Sequence, residues 1–120
     1  MKPLAADQLN DLVERLRAWL RITELATATI GDAGVAMGMP PSTLRYWVRQ
    51  AGKSWRRLVR DERLRRLEPM LLEPGRFDSD EASRVCGFSG PCAFYAFYRK
   101  TTGETFTDWR MRQEALYETF

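Results

Sequence analysis

Arg45, Arg49, Lys53, Arg56, Arg57, Arg60, Arg63, Arg65 and Arg66 fall within residues 42–66, against only Asp61 and Glu62. That segment carries +7, and the rest of the chain, with ten basic and fourteen acidic residues, carries −4. A basic block in an otherwise acidic chain either faces a polyanion or forms a solvated helix face. Other chemistry is scarce. The sequence has no histidine, which removes His-based triads, His general bases and His metal ligands. Cys86 and Cys92 are its only cysteines, too few for a thiolate zinc site. They read as reduced thiols of a cytoplasmic protein, with a single disulfide as the alternative. No phosphate-cradling glycine loop and no clustered acid pair can be read, so no enzyme, metal or cofactor is expected.

The elements that must carry these residues are helical. The chain has 120 residues, 44% hydrophobic and 29% charged, the composition of one globular domain with its own core. Its apolar stretches are too short for a membrane span, and no charged-then-apolar leader is present. Leu9, Leu12, Val13, Leu16, Trp19 and Leu20 follow helical spacing and predict a first helix from about Ala6 to Leu25. Ile30, Ala33, Gly34 and Met37 share one face of a short second helix. Gly38 ends it, and Pro41 suits the first turn of a third helix, from Ser42 to about Ala51. Short helix, glycine turn, short helix is the helix-turn-helix pattern. It needs a small residue, here Gly34, where the two helices approach.

The pattern recurs. Asp78 is a helix N-cap with Glu81 three residues on, the helix reaches Cys86, and Gly87 repeats Gly38 after 49 residues. Ser89 and Pro91 open a further helix with Phe94, Phe97 and Tyr98 on one face. Between the copies, Trp55, Leu58, Val59, Leu64 and Leu67 give a linker helix from about Ser54 to Glu68 its buried side. Pro69 is expected to kink or end that helix, and Glu73-Pro74-Gly75 reads as a turn. A last helix starts near Thr105 with Trp109, Met111 and Leu116 as apolar contacts. The prediction is all-α, with about seven helices: module one about 6–53, linker about 54–72, module two about 73–120.

The residues at the turns carry a resemblance. Met37-Gly38-Met39-Pro40-Pro41-Ser42-Thr43-Leu44-Arg45 looks like a first turn and recognition helix of the AraC/XylS family of transcription regulators. Ala51-Gly52-Lys53-Ser54-Trp55 is similar to the family's lead into its linker helix. Cys86-Gly87-Phe88-Ser89-Gly90-Pro91-Cys92-Ala93-Phe94, then Phe97-Tyr98-Arg99-Lys100, Thr102-Gly103 and Asp108-Trp109-Arg110, resembles its second-motif signature in order and spacing. The resemblance covers about residues 12–112. It implies a stand-alone DNA-binding domain without a small-molecule inducer domain, a monomer or weak dimer in the bacterial cytoplasm with the nucleoid. Double-stranded DNA is the expected partner, RNA polymerase a further one, and no membrane is involved.

Recognition helices turn their solvent-facing side chains to base edges. On that reading Ser42, Thr43, Arg45, Tyr46 and Arg49 contact bases from the first module, and Cys92, Tyr95 and Ala96 from the second. Arg56, Arg57, Arg60, Arg63, Arg99 and Lys100 are the phosphate candidates. The sequence also departs from the family. Tyr46 and Ala96 stand where arginine is usual, Pro40 replaces a serine N-cap, and Glu62 takes a usually apolar place. A competing reading follows: a helix-turn-helix scaffold that uses its basic face to bind a protein, with weak or no specific DNA binding.

Overall fold

The computed structural model describes residues 4–72 and 78–119. Seven helices occur among them: α1 (Ala6–Arg21), α2 (Ile30–Met37), α3 (Pro41–Gln50), α4 (Trp55–Leu72), α5 (Ser79–Val85), α6 (Pro91–Thr102) and α7 (Phe106–Thr119). No strand occurs among the described residues, so the all-helical prediction holds. The chain divides into two compact units, Met1–Glu62 and Arg63–Phe120.

In the first unit, α1 buries the stripe Leu12, Val13, Leu16 and Leu20 against Ala33 of α2 and Leu44, Trp47 and Val48 of α3. Helix α1 stops at Arg21, four residues before the predicted end. The Thr23 hydroxyl and amide bond back to the Trp19 and Leu20 carbonyls and close the last turn. The chain beyond is then free to return Leu25 to the core, where it is buried. Helix α2 begins with a reciprocal cap: Asp32 N–H donates to Thr29 Oγ1 and Thr29 N–H to Asp32 Oδ2, both at 3.1 Å.

Both helix-turn-helix turns close with the same two bonds. In the first, Met39 N–H donates to the Gly34 carbonyl at 2.9 Å and Gly38 N–H to the Val35 carbonyl at 3.2 Å. In the second, Phe88 N–H donates to the Ser83 carbonyl at 2.9 Å and Gly87 N–H to the Arg84 carbonyl at 3.1 Å. This is the Schellman arrangement, which needs a left-handed residue after the helix. Gly38 (φ 73°) and Gly87 (φ 81°) supply it. Asp78 Oδ1 caps α5 by accepting from Glu81 N–H at 2.8 Å.

The second core contains Ala82, Cys86, Phe94, Tyr98, Phe106 and Trp109 together with Leu67 and Met70 of α4. Those last two explain one correction: α4 runs through Pro69 to Leu72. Proline removes one intrahelical bond, but burial of Leu67 and Met70 on either side keeps the helix going. The turn expected at Glu73-Pro74-Gly75 lies outside the described residues. Met111 is exposed rather than packed, while Trp109 is buried; the side chain of Leu116 is not among those described.

Candidate nucleic-acid interface

On α3 the outward residues are Ser42, Arg45, Tyr46 and Arg49, all exposed, with Thr43 half-buried. Tyr46 leans its ring edge on Trp47, centroids 4.8 Å apart. Arg45 and Arg49 are one turn apart and line a concavity of about 220 Å³ with Ser54, Trp55 and Arg56. Chain geometry makes this cleft. Lys53 N–H bonds to the Val48 carbonyl at 3.0 Å and closes α3, and the next helix starts at once. Ser54 caps that helix, its Oγ accepting from Arg57 N–H at 3.2 Å. The first turn of α4 thus sits beside the end of α3, and its exposed Arg56 joins the two arginines of α3. No acidic residue lines the cleft.

The second unit repeats the construction. Tyr95, Ala96 and Arg99 of α6 line a cleft of about 340 Å³ with Thr105, Phe106 and Thr107 at the start of α7. Thr105 caps α7 as Ser54 caps α4, its Oγ1 accepting from Asp108 N–H at 3.0 Å. Arg99 takes the place of Arg49, Phe106 that of Trp55, and Thr105 that of Ser54. Tyr95 and Thr107 stand where the first cleft has Arg45 and Arg56. So one construction carries three guanidinium groups in the first unit and one in the second. In each, a capped helix start adds the partial positive charge of its free N–H groups. A paired Arg112–Glu104 bridge, with bonds of 2.8 and 2.9 Å, braces the corner after α6. That bridge holds the Glu104 carboxyl below its ordinary range.

Cys92 and Ala96 are exposed on α6, and Tyr95 is 37% exposed. Arg57, Arg60 and Lys100 are exposed too. Arg63 differs. It is half-buried, its guanidinium 4.1 Å from the centroid of the Phe88 ring. Its Nε is buried without a hydrogen-bond partner, and desolvation lowers its proton affinity. Three residues on, Arg66 Nη1 donates to the Val85 carbonyl at 3.4 Å. Arg63 therefore touches the turn that follows α5, and Arg66 the last residue of α5. Beneath them Cys86 is fully buried, and burial pushes its thiol up to about 11; it is a neutral thiol at pH 7.

Arg63→Ala should accordingly cost stability. Removing a partly desolvated cation–π pair costs about 1–2 kcal/mol, while Arg60→Ala on the same helix should stay within about 0.5 kcal/mol. Thermal unfolding followed by circular dichroism compares the two. Equal melting temperatures would mean that the Phe88 contact carries no weight.

Sequence reasoning did not single out Ser54, Trp55, Thr105, Phe106 and Thr107 as cleft residues. The signal that could have found them is a second repeat. The hydroxyl–aromatic pair Ser54-Trp55 returns as Thr105-Phe106 just after Gly52 and Gly103.

The helix-turn-helix domain family matches residues 34–112, a span that starts at the first turn's close approach and ends at Arg112. The chain belongs to this AraC-type family of transcription-factor DNA-binding domains. It is not a family of enzymes. Among solved structures, a DNA-binding transcriptional dual regulator from Escherichia coli K-12 is 19% identical, with a TM-score of 0.74 over 87% of this chain and 93% of that one. The transcriptional regulator CdpR from Pseudomonas aeruginosa is 21% identical with a TM-score of 0.73, over 83% of this chain and 31% of CdpR. The DNA-binding domain of AdpA, solved with a target DNA, is 18% identical with a TM-score of 0.70, over 86% and 93% of the two chains. At these identities the likeness is one of fold. No curated protein matches the chain in sequence. Among the described residues, no helix is long and apolar enough to cross a membrane.

Proposed function

We propose that this AraC-type domain regulates transcription by sequence-specific binding of double-stranded DNA, with α3 and α6 in successive major-groove segments. The observation that carries the reading is the duplicated cleft. Twice, the outward face of the helix after the turn adjoins the capped start of the next helix, and at least one arginine lines the space. Such a space suits a phosphate oxygen, which takes guanidinium and free helix N–H donors together. In this reading Arg49 and Arg56 hold a phosphate at the first cleft, and Arg99 holds one at the second. Arg45, a turn nearer the start of α3, makes a bidentate contact to guanine, and Ser42, Thr43 and Tyr46 adjoin neighbouring bases. Arg57, Arg60 and Lys100 follow the backbone. Regulation of transcription would place the protein in the cytoplasm with the chromosome.

A second reading draws on two apolar side chains of the first unit. Ile22 is 86% exposed and Val35 is 84% exposed. On this reading a protein partner such as RNA polymerase covers them.

Salt dependence separates the readings. With one phosphate at each cleft and one each for Arg57, Arg60 and Lys100, the log–log slope is about −4.5, and raising salt from ~50 to ~200 mM weakens duplex binding about five-hundredfold. A mobility shift of the full chain on random and selected duplexes reads this directly. Affinity indifferent to salt, or no duplex binding at ~50 mM, would move the function to the protein partner.

A further inference from the structure

The two recognition helices offer very different chemistry where they would go deepest into a groove. Base edges meet the N-terminal residues of such a helix. On α3 these include Ser42 and Arg45. On α6 they are Cys92, Ala93, Tyr95 and Ala96, all exposed. The cations of α6, Arg99 and Lys100, come seven and eight residues after Cys92, roughly 10–12 Å along the axis at 1.5 Å per residue. Tyr95 is also held in place: its ring lies 6.1 Å from that of Phe94 and 6.3 Å from that of Phe106. Cys92, Ala93, Ala96 and the ring face of Tyr95 therefore offer no charged group there, and Tyr95, Ala96 and Phe106 form the apolar side of a cleft that Arg99, Thr105 and Thr107 also line.

An apolar surface is not neutral toward the four bases. In the major groove guanine, adenine and cytosine present hydrogen-bonding groups, and thymine alone among unmodified bases adds a methyl at C5. Pressing a methyl or a ring on N7, O6, N6 or N4 strips water from a group and gives it no partner. Pressing the same surface on the thymine C5-methyl buries apolar area on both sides.

We propose that α6 selects its half-site through pyrimidine C5-methyl groups, with Ala96 and the ring of Tyr95 as the contacting surface. The inference rests on the DNA-binding reading above and names the base feature that the second module recognises. Thymine is the ligand in unmodified DNA, and 5-methylcytosine presents the same group.

The test starts from duplexes selected by the full chain from a random pool. In the half-site assigned to α6, thymine is replaced by deoxyuridine, and in a second series cytosine is compared with 5-methylcytosine. Each comparison changes one methyl group. Burial of one methyl corresponds to about a fourfold affinity difference, expected in both series and absent when deoxyuridine is placed outside the bound region. Ala96→Gln, at an exposed position, should keep wild-type helicity. It should erase the methyl preference at its base pair and select adenine there, where a glutamine amide finds N6 and N7. Selected sites with no thymine preference in that half, or equal affinity for thymine and deoxyuridine duplexes, would overturn the proposal and leave DNA binding standing. Failure to select any duplex would overturn both.

Discussion

Arg45, Arg49 and Arg56 changed together to alanine should weaken duplex binding about a thousandfold while leaving the fold intact. The three come from two helices and converge on one concavity without an acidic neighbour. All three are exposed. A charge-assisted hydrogen bond is worth about 1.5–3 kcal/mol, so deleting three of them removes at least ~4 kcal/mol, or about a factor of a thousand. The salt dependence should change with it, the slope becoming shallower by about 1 for each phosphate left without its arginine. Unfolding should move by no more than about 0.5 kcal/mol per substitution, as at other exposed sites. The second cleft gives the contrast. It holds one arginine, so Arg99→Ala should cost only about tenfold, the worth of a single charge-assisted bond. Fluorescence anisotropy of labelled duplexes across a salt series measures all of this. A triple variant that binds within tenfold of wild type would show that the electrostatic centre lies elsewhere on the basic helices.

The same cleft marks where reading the residues in order stops. Turn glycines, the Asp78 cap and the repeat spacing are local, and the structure has Gly38, Gly87 and Asp78 in those roles. Helix ends depend on competition between local and distant contacts. Pro69 weakens α4 locally, but Leu67 and Met70 have a core to enter. Nothing adjacent in sequence announces that core. The basic run from Arg56 to Arg66 hides a comparable division. Residues three apart lie about 60° from each other on one side of a helix and about one turn apart along it, so arginines on one face can still have different neighbours. Arg60 is exposed, whereas Arg63 rests on Phe88, 25 residues away. Glu62, an acid on a position expected to be apolar, is 6% exposed. Charge alone therefore could not distinguish the arginines on a solvent face from the one that supports the second turn. The clefts lie between helices joined through other corners, at Gly52 (φ 76°) and Gly103 (φ 81°), so their lining follows from tertiary geometry.

Gly34→Ala should destabilise the first unit by up to about 2 kcal/mol, although alanine is the better helix former. A Cβ built at Gly34 lies 2.6 Å from the Met39 carbonyl oxygen and 3.4 Å from the Pro41 nitrogen. Both are backbone atoms of the turn, so no side chain can swing aside. That turn is also tied to the same residue, Met39 N–H donating to the Gly34 carbonyl at 2.9 Å. Making room requires shifting the chain that leads into α3, an overpacking of about 1–3 kcal/mol. A helix propensity gain of at most ~1 kcal/mol does not offset the upper part of that range. For a unit of this size each 1 kcal/mol lowers the melting temperature by about 4–8 °C. Gly31→Ala on the same helix is the control. Its Cβ would meet only Thr29 Oγ1 at 3.5 Å, an ordinary contact, so it should leave stability unchanged or raise it by up to ~1 kcal/mol. The second unit shows the alternative: its turn carries Ser83 in the place of Gly34, buried and with a Cβ already accommodated. Because the displaced backbone in Gly34→Ala carries α3, DNA affinity should fall along with the melting temperature, whereas Gly31→Ala should leave both near wild type. Thermal melts and duplex titrations of the two variants decide the matter. A Gly34→Ala protein that melts at or above the wild-type temperature would mean that α2 and the turn have room to part without cost.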